Sequence, residues 1–270
     1  MLECVVNISE GTHLEAIATF AQAVSDDLLD VHSDSQHNRS VFTLVGEWAP
    51  RELATHVVDI CNLGRHEGVH PRIGVVDVVP FIALDGSTFD DALRARDDFA
   101  QWAATKLNVP CFLYGPERTL PFIRKHAWKE LLPDVGPQHP HTTAGAMCVG
   151  VRPPLVAYNV WLHAPLDEAH RLANIVRTSN VRTLGLQVGD LTQVSVNLIE
   201  PENVGPDYVL ERIEETIDPK YSISHCELIG LLPARALARI SREKWEMLDL
   251  SPQKTIEWQI AQRNDRLRSS

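Results

Sequence analysis

Residues 65–81, RHEGVHPRIGVVDVVPF, place two imidazoles, a guanidinium and a proline in a turn that opens into an apolar strand. An unperturbed histidine titrates near neutral pH, so His66 or His70 can exchange a proton with a substrate. Arg72 presents a planar fork of donors suited to a carboxylate. Gly68 and Gly74 permit close backbone approach, and Pro71 stiffens the turn. Asp77, inside the strand, can orient an imidazole or satisfy nearby amides. Residues 66–70 also spell H-E-x-x-H, a zinc-ligand pattern that works when a helix puts both imidazoles on one face. Gly68 and Pro71 oppose a helix here. A ligand on a non-helical turn and a pair of plain hydrogen-bonding histidines both stay open.

Three other clusters could join this turn. Asn7, Ser9 and Glu10 follow the first strand-like run, where Ser9 competes with Thr12 to cap the next helix. His32, Asn38 and Arg39 border a polar linker and offer donors to a polar ligand, although such linkers are ordinarily polar. Residues 131–150, LLPDVGPQHPHTTAGAMCVG, hold three prolines and three glycines, which predicts an ordered binding loop. His139 and His141 form an H-x-H pair there. With no carboxylate or cysteine beside them, the spacing favours a loop or ligand contact over a metal site.

Positioning these groups requires a regular scaffold, and the hydrophobic pattern supplies one. Residues 2–6 read as a strand, and 8–11 as a turn starting a helix that runs through residue 23. Strand-like runs at 28–32 and 40–45 flank the linker and predict a hairpin. Residues 52–63 have helical spacing through Leu53, Val57, Ile60 and Cys61. Residues 73–83 are almost continuously apolar, as in a central strand, and a helix at 89–107 and a strand at 109–114 follow. Beyond the loop come a strand at 155–162, a helix at 168–177, strands at 183–188 and 193–198, a helix at 207–217 and a strand at 222–231. Helices at 232–240 and 252–262 end the chain. The pattern predicts an α/β protein of the α+β type: two layered sandwiches with mainly antiparallel sheets covered by helices.

Composition narrows the function. The 270 residues suffice for one large or two modest domains, and 44% hydrophobic with 23% charged residues is ordinary for a globular protein. A net charge of −11, from 36 acidic and 25 basic residues, argues against a nucleic-acid partner. Any anionic ligand must be held by a local cluster of Arg, His and backbone amides. No run approaches the roughly 20 apolar residues of a membrane span, and MLECVVNISEG has no signal-like leader. Cys4, Cys61, Cys111, Cys148 and Cys226 are odd in number and scattered, which predicts reduced, buried thiols. The expectation is a cytoplasmic protein away from the membrane.

Seven motifs in register carry a resemblance. They are ECVVNISEG at 3–11, LDVHSDSQHNRSVFTLVG at 29–46, HPRIGVVDVVPF at 70–81, VPCFLYG at 109–115, GP at 136–137, GAMCVGVRPPLVAYN at 145–159 and QVSVNL at 193–198. Together they resemble the formiminotransferase domain family, found in glutamate formimidoyltransferases and fused to a cyclodeaminase. The resemblance implies two subdomains, 1–152 and 153–270, with a folate cleft between them, in a homodimer. It implies transfer of a formimino group from N-formimino-L-glutamate to tetrahydrofolate, a co-substrate, with no metal, in one-carbon metabolism and histidine degradation. It makes His70 the catalytic residue, and maps the folate loop onto Gly136, Pro137, Gln138, His139, Pro140, His141, Thr142, Thr143, Ala144 and Gly145. Asn7, Ser9, Glu10, His32, Asn38, Arg39, Arg72 and Asp77 are then substrate-binding candidates, with Asp77 able to accept from the pterin ring. Relatives generally read HKGEHPR where this chain reads HEGVHPR, so a carboxylate stands at position 67 instead of 69. The family's folate-loop aromatics are replaced here, and animal relatives carry an aspartate at the position of His32. Two alternatives accompany the resemblance: the same fold using another one-carbon donor, as in formyl transfer with 5-formyl-tetrahydrofolate, and a folate-binding protein without chemistry.

Overall fold

A computed structural model of the chain describes residues 1–68 and 70–269. Two compact units divide it, Met1–Pro153 and Pro154–Ser270.

The first unit runs β1 (Leu2–Ile8), α1 (Leu14–Ala23), β2 (Leu28–Asp34), β3 (Arg39–Val45), α2 (Ala49–Ile60), β4 (Val76–Ala83), α3 (Phe89–Trp102), β5 (Cys111–Tyr114), α4 (Leu120–His126) and β6 (Met147–Val151). Its sheet has the order β2-β3-β1-β4-β6-β5. Pairing is antiparallel from β2 to β4 and parallel across β4, β6 and β5. Strand β4 is apolar on both sides because both faces are covered. Val79 and Phe81 pack with Phe20 of α1, Leu53 and Val57 of α2 and Phe99 of α3. Val78 packs oppositely, with Phe112, Cys148 and Ile123 of α4. Each large side chain so buried contributes about 1.5–3 kcal/mol.

Local signals set the helix starts. Thr88 and Asp91 form a reciprocal capping box on α3, with backbone bonds of 3.2 and 2.9 Å. Thr119 caps α4 by accepting from the Phe122 N–H, and Pro121 occupies its first turn.

The second unit runs β7 (Val156–His163), α5 (Leu166–Val176), β8 (Val181–Val188), β9 (Leu191–Leu198), α6 (Pro206–Thr216), β10 (Ser222–Ile229), α7 (Ala234–Ala238) and α8 (Ile256–Ser269). Its sheet, β10-β7-β9-β8, is antiparallel throughout. Leu172 and Val176 of α5 and Leu210 and Ile213 of α6 share a core with Tyr158, Val160, Val194 and Val196.

The α/β architecture of helix-covered, largely antiparallel sheets matches the sequence reading. Four local differences have physical causes. Helix α4 falls in a stretch that carried no predicted element, its seven residues being too few for a clear helical period. The end of the predicted loop is strand β6, whose five residues are all buried between two parallel neighbours. Helix α3 continues as a π-type turn, Ala103–Leu107, which Asn108 closes at φ +54°. The predicted helix at 252–262 starts later, because Pro252–Lys254 is a 3₁₀ turn ahead of α8. Among the described residues no helix is long and apolar enough to cross a membrane. The cysteines are free, four of them buried and Cys61 half-buried.

Candidate active site

Four segments of the first unit meet at one end of its sheet: the exit of β1, the β2–β3 hairpin tip, the entry to β4 and the loop before β6. Short bonds fasten them. The Ser9 N–H donates to Val75 O at 2.7 Å, and Ser9 Oγ to Gly74 O at 2.8 Å. Asn38, in the left-handed region at φ +47°, accepts from the Gly11 N–H through Oδ1 at 2.8 Å. Its Nδ2 donates to Glu67 O at 2.7 Å, and its own carbonyl accepts from His66 Nε2 at 2.7 Å. The loop joins through Leu63 N–H to Thr143 O at 2.7 Å, Val75 N–H to Ala144 O at 3.0 Å and Ala146 N–H to Ile73 O at 2.9 Å.

His70 lines a cavity of about 440 Å³ together with Leu63, Gly68, Pro71 and Arg72. Its Nδ1 is 2.8 Å from the Pro71 carbonyl oxygen, which can only accept. The ring proton therefore sits on Nδ1 and leaves Nε2 as a bare lone pair, the form a general base needs. Burial, reinforced by the Arg39 charge, pulls the imidazole down to about 3, against the opposing pull of Pro71 O and Asp77. The unperturbed value suggested by residue type alone does not survive this environment. His37 approaches edge-on, its ring centroid 6.3 Å away.

The charge that acts on His70 is built around Asp77, which has no exposed surface. Its Oδ1 accepts from the Ile73 N–H at 2.8 Å and Arg124 Nη1 at 2.7 Å. Its Oδ2 accepts from Arg39 Nη1 at 2.8 Å and from Arg124 Nη2. Burial would raise this carboxyl, but Arg39 and Arg124 overcome it and hold it at about 2. Two guanidinium groups around one carboxylate leave one surplus positive charge. With four bonds already made, Asp77 sets charge and geometry.

The remaining sequence candidates divide between anchors and open surface. Asn7 accepts from Arg39 Nε at 3.2 Å and steadies that guanidinium. Glu10, not Ser9, serves the start of α1: its carboxylate takes the Thr12 and His13 N–H groups at 2.8 and 2.9 Å. Burial opposes its ionisation, and those bonds outweigh it, giving about 2. Arg72 closes its fork on its own turn, donating to the Gly68, His70 and His66 carbonyls at 3.0, 2.9 and 3.1 Å. His32 lies on β2 opposite Val41. In the loop, Gly136, Gln138, His139, Pro140 and Thr142 are exposed, Pro137, His141 and Thr143 half-buried, and Ala144 and Gly145 buried. His141 Nδ1 accepts from the Ala144 N–H at 3.0 Å and shapes a turn closed by its backbone pair with Gly145. Val69, where the resemblance places a carboxylate in relatives, lies outside the described residues.

Gly74 and Gly145 are bridge partners. A Cβ at Gly74 would stand 1.9 Å from Ala146 O, and Gly145 has φ +72° with Ile73 O at 2.3 Å from its Cβ position. Gly74→Ala is therefore expected to lower stability by about 1–3 kcal/mol. Denaturant unfolding checks this, and an unchanged midpoint would show that the loop yields freely.

Arg124 is the residue the sequence reading missed. Thr119 followed by Pro121 is a helix-start signal that could have located α4. Nothing local marks Arg124 as the partner of a carboxylate 47 positions away.

Residues 1–152 match the formiminotransferase domain, N-terminal subdomain. A glutamate formimidoyltransferase of Streptococcus pyogenes serotype M1 is 33% identical, covering 95% of this chain and 97% of that protein. A formimidoyltransferase-cyclodeaminase of Sus scrofa is 32% identical over 88% of this chain but 51% of its own length, so this chain spans about half of that fused relative. A glutamate formimidoyltransferase of Thermoplasma acidophilum is 27% identical, covering 90% of this chain and 91% of the relative.

Proposed function

Because this chain belongs to the formiminotransferase family, we propose that it transfers the formimino group of N-formimino-L-glutamate to tetrahydrofolate, giving 5-formimino-tetrahydrofolate and glutamate. The observation that carries the reading is the bare Nε2 of His70 in a cavity beside surplus positive charge. The N5 nitrogen of tetrahydrofolate attacks the formimino carbon, and Nε2 takes the proton that N5 sheds as the new C–N bond forms. The resulting imidazolium returns that proton to the glutamate nitrogen as the old C–N bond breaks, and the ring ends neutral.

Electrostatics fit a substrate bearing carboxylates. Arg39 and Arg124 carry one more charge than Asp77 neutralises, in a protein whose net charge of −11 otherwise repels anions. Arg72 and Asn38 hold the His70 turn, and the loop at 136–145 is the folate-binding segment of this reading. On this reading residues 1–152 and 153–270 are subdomains of one formiminotransferase domain, acting as a cytoplasmic homodimer in one-carbon metabolism and histidine degradation.

Turnover of N-formimino-L-glutamate, N-formyl-L-glutamate and 5-formyl-tetrahydrofolate by the purified chain tests the reading. The formimino donor is expected to be consumed, dependent on tetrahydrofolate, with one glutamate released per transfer. Faster consumption of a formyl donor would reassign the substrate. Folate binding with no donor consumed would make the protein a binder.

A further inference from the structure

The β2–β3 hairpin tip brings a second imidazole to the His70 turn. Asp34, at the end of β2, accepts the Gln36 and His37 N–H groups through Oδ1, both at 2.7 Å, and its Oδ2 lies 3.1 Å from His37 Nδ1. Burial opposes ionisation of this carboxyl, and the bonds from His37 overcome it and hold it below its ordinary value. An ionised carboxylate can only accept, so the His37 ring presents a proton on Nδ1. One carboxylate thus fixes both the backbone and the ring of His37, which is 8% exposed. The tip also rests directly on the neighbouring turn: a Cβ at Gly68 would stand 2.5 Å from the His37 carbonyl oxygen.

His70 needs support of this kind. Its Nδ1 bond goes to Pro71, the next residue, so it ties the ring to its own turn and not to the sheet. The outer torsion of a histidine has a broad, roughly twofold profile, and one bond at one corner leaves the ring plane free to rock. Turning the ring over would put a carbon where Nδ1 stands and lose the Pro71 bond. His37 meets this ring edge-on, with 6.3 Å between centroids and 63° between planes. That is a favoured geometry for flat aromatic rings, and here it is supplied by a different segment of the chain.

We propose that His37 is a positioning residue for His70: its ring, clamped by Asp34, holds the plane of the His70 imidazole so that Nε2 stays bare and directed at the cavity. The chain of support runs from the Asp34 carboxylate through the His37 ring edge to the group that moves the proton. This rests on the formiminotransferase reading and deepens it by a residue that acts through His70 without touching substrate.

The test uses the full chain with His37→Ala, which removes the ring, and His37→Phe, which restores a ring edge without its nitrogens. Steady-state kinetics are run below the melting onset of all three proteins, and ¹⁵N-histidine NMR of the ligand-free chain reads the two ring nitrogens of His70. The alanine variant is expected to lower kcat by roughly tenfold to a hundredfold, the usual cost of a misplaced reacting group, with both KM values at the wild-type level. Its His70 signals should shift from a protonated Nδ1 and bare Nε2 toward a mixture of tautomers. The phenylalanine variant should recover most of kcat and the wild-type tautomer. An alanine variant with wild-type kcat and an unmixed tautomer would overturn the proposal. A phenylalanine variant as slow as alanine would overturn it too, by assigning the effect to a His37 nitrogen and not to the ring edge. A raised KM at unchanged kcat would make His37 a binding residue instead. The NMR arm needs no substrate: if the wild type consumes no formimino donor, the functional reading falls, while the alanine variant's tautomer still decides whether His37 holds the His70 ring.

Discussion

Replacing His70 by glutamine is expected to lower kcat by about 10²–10⁴-fold, the usual contribution of a positioned acid–base group, with tetrahydrofolate affinity left near the wild-type value. Glutamine can occupy the turn and bond Pro71 O, but it cannot carry a proton from one nitrogen to another. Rapid-quench turnover and a folate titration on the same preparation separate the two effects. A variant that turns over at the wild-type rate would remove His70 from the chemistry.

The pH profile is a further signature of the same residue. In the unliganded protein burial and Arg39 hold the imidazole at about 3, so kcat/KM should show no loss from His70 protonation between pH 8 and 5. A donor carboxylate beside Arg39 and Arg124 offsets their charge and raises the imidazole toward its ordinary value. The acid limb of kcat is therefore expected at higher pH than that of kcat/KM. Coincident limbs would mean that the bound substrate leaves this charge untouched.

Asp77→Asn should produce the largest loss of stability. It leaves two largely buried guanidinium groups around a neutral amide, and breaking such a pair costs about 3–5 kcal/mol. For a chain of this size the melting temperature should fall by roughly 10 °C. The acid side of the stability curve should change as well. The Asp77 carboxyl lies lower in the fold than in the unfolded chain, about 2 against 3.8, so its contribution is present above 3.8 and lost as pH falls toward 2. The imidazole of His70 is also lowered by folding, so its neutral form favours the native state fully above 6.5 and progressively less as pH falls toward 3. Acid unfolding of Asp77→Asn should retain the His70 component and lose the Asp77 component. A melting temperature equal to that of the wild type would show that the arginines find other partners.

Much of the site was legible because its parts are adjacent in the chain. The turn at 65–74 carries His70, Arg72, Gly68 and Gly74 within ten residues, and proline and glycine announce its geometry locally. Strands β1 to β4 followed from their hydrophobic runs, which a buried polar residue such as Asp77 interrupts where hydrogen-bond partners satisfy it. Strand β6 was obscured because the glycines and prolines before it dominate a reading window. Its five buried residues are too few to outweigh them.

What the sequence determined alone is the set of reactive groups and the alternation of strands and helices, since composition and periodicity are local properties. What only the tertiary structure decided is their electrical state. Arg124, from a helix 47 positions beyond Asp77, turns one carboxylate into the centre of a cluster with a surplus positive charge. Burial, reinforced by the Arg39 charge, takes His70 far from its ordinary titration, while the Pro71 carbonyl chooses which ring nitrogen is bare. Coulomb interactions depend on distance in space and on exclusion of water, and neither is written in chain order.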